Sequence, residues 1–137
     1  MAFKDIKYFQ ELVISDIEEY KKNPTKFSEG RIRSIFSRAY YTIFLHCRDE
    51  LNLEYNTELS VHHTVKKEIL NSEINKIFHT HHQTRKEMDY NNINLDLKNT
   101  GKLLSELCSI KRDMNRILLL SKNDLLKKWL EKTQGSN

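Results

Sequence analysis

Chain breakers are scarce in this sequence: of 137 residues, three are glycine and one is proline. That scarcity excludes turn-rich β-sandwiches and glycine- or proline-rich disordered chains, and leaves a few long helices as the simplest reading. Long apolar runs are missing as well. A run such as Ile117-Leu118-Leu119-Leu120 covers about one helical turn, so no membrane-spanning helix and no membrane partner are expected. The opening Met1-Ala2-Phe3-Lys4-Asp5 passes straight into mixed polar sequence without the apolar core of a signal peptide. Cys47 and Cys108 are the only cysteines, too few for a disulfide framework or a metal-binding spacing, which fits a reducing cytoplasm. Charge of one sign is not in great excess either. The 23 basic and 19 acidic residues leave +4, a bias that permits an anionic partner without demanding one.

What the chain does have is helical periodicity. Phe3, Ile6, Phe9, Val13, Ile17 and Tyr20 recur every three or four residues, the mark of one buried helical face, and Asn23-Pro24 should stop that helix. A wider, aromatic-rich stripe follows (Ile32, Ile35, Phe36, Ala39, Tyr40, Ile43, Phe44, Cys47, Leu51), which predicts a central helix. After a mostly polar connection from Asn52 to Ser60, Val61, Val65 and Ile69 begin a third helical segment that Asn71-Ser72 interrupts or caps. Ile74, Ile77, Phe78, His81, Arg85 and Met88 continue at helical spacing up to the turn signal Asp89-Tyr90-Asn91-Asn92. Leu97, Leu104, Leu107, Met114, Ile117 and Leu118 are expected along another long helix. Ser121-Lys122-Asn123-Asp124 should break it before a short amphipathic end with Leu125, Leu126, Trp129 and Leu130. The pattern predicts a single all-α, up-and-down bundle over residues 1–133, with 134–137 as a frayed tail.

Most groupings of reactive residues fail on inspection. Five of the six histidines fall at His62, His63, His79, His81 and His82. His79 and His82 share a helical face and offer two imidazoles, with His62, His63 or a carboxylate as a third ligand. No HExxH motif or paired cysteine supports a metal, so solvated or partly packed histidines are the preferred reading and no metal is expected. His46 and Cys47 diverge on their helix, and Cys47 continues the apolar stripe as a core residue. Gly30, Gly101 and Gly135 form no glycine-rich phosphate loop, so neither ATP nor a dinucleotide cofactor is expected.

Two segments are more specific. In Arg31 to Phe44, Ala39 allows close helix approach, Tyr40 and Phe44 supply apolar mass, and Arg31 and Arg38 lie on one side two turns apart. In Thr84 to Tyr90, a helix carrying Arg85 runs into a turn carrying an acid and a phenol; an ion pair of Arg85 with Asp89 is its plain structural explanation. Together these segments resemble the HEPN superfamily of small helical proteins. One large prokaryotic branch reads "SRAYYAxF" and then "RxxADY". The counterparts here are Ser37-Arg38-Ala39-Tyr40-Tyr41-Thr42-Ile43-Phe44 and, about forty-five residues on, Arg85-Lys86-Glu87-Met88-Asp89-Tyr90, with Thr42 and Met88 replacing the two alanines.

The resemblance implies a bundle of four or five helices that usually forms a homodimer, often beside a nucleotidyltransferase-like partner encoded in the same operon. Many members are metal-independent ribonucleases with an Arg-x(4–6)-His motif, in which a ribose 2′-hydroxyl attacks the adjacent phosphate. Arginine suits the charge-stabilising role because its fork pairs with phosphate oxygens, and histidine suits proton transfer near neutral pH. Here the positions for that histidine hold Tyr90, Asn91 and Asn92. An ordinary phenol titrates at about 10 and is a poor base at neutral pH. His81, one turn before Arg85, or His82 could stand in. The expected catalytic set is therefore Arg85, Tyr90 and His81, and the expected RNA-binding set is Arg38, Arg85 and Lys86. Three functions follow: a ribonuclease of a toxin–antitoxin or phage-defence system, a non-catalytic RNA- or nucleotide-binding module, and a dimeric protein-interaction component of a defence operon.

Overall fold

Asn23-Pro24 ends the first helix as the sequence predicts. The computed structural model describes residues 5–53, 61–90 and 94–128, and there α1 runs Asp5–Lys22 and gives way to a 3-10 turn at Pro24–Lys26. Ser28 then opens α2, Glu29–Glu50, by accepting the Arg31 amide at 3.1 Å. Asn52, at φ 59°, takes the left-handed conformation that asparagine tolerates and turns the chain away from α2. The helices α3, Val61–Glu68, and α4, Ser72–Asp89, are separated by Asn71, whose side chain caps the Glu73 and Ile74 amides. Two further helices complete the described residues: α5, Thr100–Ile117, and the short α6, Lys122–Leu126.

The molecule is an all-α helical bundle, with no strand among the described residues. Its centre is α2, which packs against α1, α3, α4, α5 and α6. Ile35, Ala39, Tyr40, Ile43 and Cys47 lose all solvent exposure there, and burial pushes the Cys47 thiol up to about 12, as befits a core cysteine. Polar side chains tie the smaller pieces on. Asn75 Nδ2 donates to the Lys66 and Ile69 carbonyls at 2.6 and 3.1 Å, fastening the end of α3 to α4. The Asn71 amide reaches the Leu125 carbonyl at 3.0 Å, and His46 Nε2 the Leu120 carbonyl at 2.9 Å, which hold α6 and its approach.

Two boundaries differ from expectation. Leu97 sits in an exposed turn before α5, because Asn99 caps that helix by accepting the Lys102 amide. Ser121 to Asp124 does interrupt the chain after α5, yet it also starts a helix: Ser121 and Asp124 form a reciprocal capping box. Phe3, the 54–60 part of the polar connection, Asn91, Asn92, Trp129, Leu130 and the 134–137 tail lie outside the described residues. No helix among the described residues is long and apolar enough to cross a membrane.

Candidate functional site

The two sequence segments meet across the α2–α4 contact. Ser37 Oγ donates to Asp89 Oδ1 at 3.2 Å, and Arg33 donates to the Met88 carbonyl at 3.1 Å, so α2 fixes the last turn of α4. Arg85 lies on that turn. Its Nε stands 3.1 Å from Asp89 Oδ2, the ion pair anticipated from the i, i+4 spacing. The contact is not a well-directed hydrogen bond, and Nε finds none among the described residues. The guanidinium also sits over the ring of Tyr40, 5.7 Å from its centroid. Held by charge and by a ring face, Arg85 keeps N–H donors for an incoming acceptor.

Tyr40 is the back wall of this region. The His62 and His82 rings stack on it at 5.7 and 5.1 Å and on each other at 5.0 Å, while Phe44 stacks on His62 at 4.1 Å. The Tyr40 hydroxyl and His62 Nδ1 share a hydrogen bond of 2.8 Å. Burial pushes the Tyr40 phenol well above its ordinary value, so its proton stays on. The fully enclosed O–H donates to Nδ1, which leaves the imidazole proton of His62 on Nε2, the edge away from Tyr40.

In front of this wall opens a cavity of about 540 Å³ lined by His62, His63, Lys66, His79, His82, Gln83, Arg85, Lys86, Asp89 and Tyr90. Its cations are Lys66, Arg85 and Lys86, against the single carboxylate of Asp89. Burial, and then the Arg85 and Lys86 charges, push the His62 imidazole down to about 4. His82 is pushed to about 4 by burial first, then by His62, Lys86, Arg85 and His79. Both rings are neutral at physiological pH, able to exchange protons, and set among fixed positive charge. Among the described residues no three His, Cys, Asp or Glu side chains are grouped to hold a metal ion.

Of the five residues expected to act, Arg85, Lys86 and Tyr90 line the cavity. His81 does not. It points to the other side of α4, where its buried ring donates from Nε2 to Asp113 Oδ2 of α5 at 2.7 Å. Neighbours on a helix differ by about 100° in direction, and it is His82 that lines the cavity together with Arg85. Arg38 is likewise elsewhere: it pairs with Asp16 of α1 at 3.0 Å, and Arg31 reaches the same carboxylate at 3.4 Å. The sequence weighs His62 and His63 only as metal ligands and passes over Lys66; their place beside Arg85 is not legible because nothing in the polar connection before α3 tells which face of α2 that helix covers. The His79, His82, Lys86 spacing along α4 was the available signal. Comparison with family models, curated proteins and solved structures gives no match for this chain.

Proposed function

We propose that the protein is an RNA-directed helical module of the HEPN type, serving a toxin–antitoxin or phage-defence system, and that RNA phosphate docks in the His62–His82–Arg85 cavity. The observation that carries this reading is the convergence of Arg85 and Lys86 with two neutral imidazoles in one cavity. A guanidinium with unused donors suits phosphate oxygens, and an anion there would offset the positive charge that holds both imidazoles down.

The same grouping favours metal-independent cleavage. His82 would take the proton of a ribose 2′-hydroxyl as that oxygen attacks the neighbouring phosphorus, with Arg85 pairing the non-bridging oxygens. The bond from phosphorus to the 5′ oxygen then breaks, that oxygen gains a proton from solvent, and a 2′,3′-cyclic phosphate remains. Incubation of the purified protein with total RNA in the presence of a chelator, followed by mapping of the ends, tests it. Cyclic-phosphate and 5′-hydroxyl ends that vanish in Arg85→Ala are expected; intact RNA that also fails to bind in a gel shift at low salt overturns the reading.

A second reading rests on Tyr90, which stands with Asn91 and Asn92 where the family histidine belongs. It makes the protein a non-catalytic RNA- or nucleotide-binding dimer, or a protein-interaction module beside a nucleotidyltransferase-like partner. RNA that is retained but never cut is its signature. Sedimentation tests the homodimer, and a lone 16.4 kDa species counts against it.

A further inference from the structure

The exposed face of α4 carries a stripe that the cavity does not exhaust. Ser72, Lys76, His79, Gln83, Lys86 and Tyr90 follow one another at steps of four and three residues, and all six are exposed. Such spacing keeps them on one side of the helix, a turn of about 5.4 Å apart. From Ser72 to Tyr90 the stripe covers roughly 27 Å at 1.5 Å per residue. Its chemistry alternates: ammonium at Lys76, flat ring at His79, amide at Gln83, ammonium at Lys86, flat ring at Tyr90.

A second concavity lies at the far end of this stripe. It has a volume of about 490 Å³ and is lined by Ile69, Leu70, Ser72, Asn75 and Lys76 together with Lys66 and His79. Lys66 and His79 also line the first cavity, so the two are neighbours along the seam of α3 and α4. The seam is built rather than incidental, since Asn75 clamps the end of α3 through two carbonyls. Leu70, 45% exposed, offers an apolar surface beside the Lys66 and Lys76 ammonium groups.

We propose that the α3–α4 seam is a groove for single-stranded RNA, in which the second concavity holds a nucleotide flanking the one at Arg85. The proposal rests on the RNA reading of the first cavity and extends it to the substrate's form. Lys76 and Lys86, about 15 Å apart along α4, and Lys66, which lines both concavities, take up phosphates, while His79, Leu70 and Tyr90 give unpaired bases something to lie against. A duplex keeps its base faces stacked inside and gains nothing from such surfaces. The length of the stripe accommodates on the order of four nucleotides, the lower end of single-strand site sizes.

Fluorescence anisotropy with 2′-O-methyl oligouridylates of two lengths, a dinucleotide and an octanucleotide, tests the groove, because neither probe can be cleaved through a 2′-hydroxyl. The octamer should bind more tightly. Lys76→Ala, an exposed substitution that leaves the melting temperature unchanged, should weaken the octamer by about five- to tenfold and the dinucleotide by less than about twofold. It should also lower the octamer's salt slope by about one, the loss of a single phosphate contact. Equal effects of Lys76→Ala on the two lengths, an octamer no tighter than the dinucleotide, or an oligoglutamate of the same charge bound as well, each overturns the groove. Arg85→Ala separates the underlying reading: if it leaves both lengths unaffected, the first cavity is not the docking point, whatever Lys76 does.

Discussion

The Tyr40 hydroxyl and His62 Nδ1 lie 2.8 Å apart and join the middle of α2 to the first turn of α3. The bond does two things at once. It satisfies a phenol with no access to water, and it selects which edge of His62 carries the proton. Tyr40→Phe keeps the ring stack and deletes only the donor. A loss of about 1 kcal/mol is expected, the usual net worth of one hydrogen bond. Nitrogen chemical shifts of His62 should move towards a mixture of the two tautomers. An unchanged melting curve with unchanged shifts means that the contact orders nothing.

Arg85 is held by a part-exposed ion pair, and such pairs contribute about 1 kcal/mol or less. Arg85→Ala should therefore melt within a few degrees of the parent protein and lose RNA binding. Arg85→Lys is the sharper probe, because it preserves the charge and removes the two-pronged fork. Partial recovery of binding without recovery of cleavage is expected. A large drop in melting temperature with RNA behaviour intact assigns Arg85 to structure instead.

Acid should unfold the protein through its stacked histidines. In the unfolded chain His62 and His82 titrate near 6.5, and in the folded one near 4. Between those values the unfolded chain binds more protons, so stability rises with pH across that window. It is fully present above pH 6.5 and is lost as the pH falls towards 4. Melting curves over this range should show the decline, and a variant carrying both His62→Gln and His82→Gln should show less of it. An equal slope in that variant places the acid-sensitive groups elsewhere.

The bundle itself offers a control. Phe36 is buried on α2 and is not one of the residues that line the cavity. Phe36→Ala should cost roughly 3–5 kcal/mol, the range for emptying a buried aromatic site. A near-neutral effect would contradict the central placement of α2.

Periodicity carried the fold because each long helix has one apolar stripe and few breakers to confuse it. Asn23-Pro24, Asn71 and Ser121 were legible as stops and caps for the same local reason: their side chains or rings act within a few residues. Leu97 was misread since an apolar residue just before a cap looks like the next step of the stripe behind it. The site was half legible. Arg85 with Asp89 is a one-turn relation, whereas Tyr40 with His62 depends on how α3 docks, and no local pattern encodes that. Arg38 shows the same limit from the other direction. Its carboxylate partner, Asp16, is on another helix, and a cation read as available to RNA proves to be occupied.

Adjacent residues on α4 give the sharpest separation of structure from activity. His81 Nε2 donates to Asp113 Oδ2 at 2.7 Å inside the α4–α5 contact, while His82 faces the cavity beside Arg85. His81→Ala strands a part-buried carboxylate and opens a small void, so it should cost about 1–3 kcal/mol and leave RNA binding per folded molecule unchanged. His82→Ala removes a ring from an open-sided stack, so its stability effect should be smaller and its effect on RNA larger, at least about tenfold if the imidazole moves the proton. Proton transfer also has a signature that mere packing lacks. Cleavage per folded molecule of the parent protein should rise with pH through the titration of His82 and then level off, and His82→Gln should flatten that profile. Tyr90→Phe belongs in the same series. The residue is 72% exposed and lines the cavity, so the phenylalanine variant should keep full activity and the alanine variant should bind more weakly. If His81→Ala abolishes cleavage in a protein that still melts normally, the proton carrier lies on the Asp113 side of α4 and the cavity loses its catalytic role.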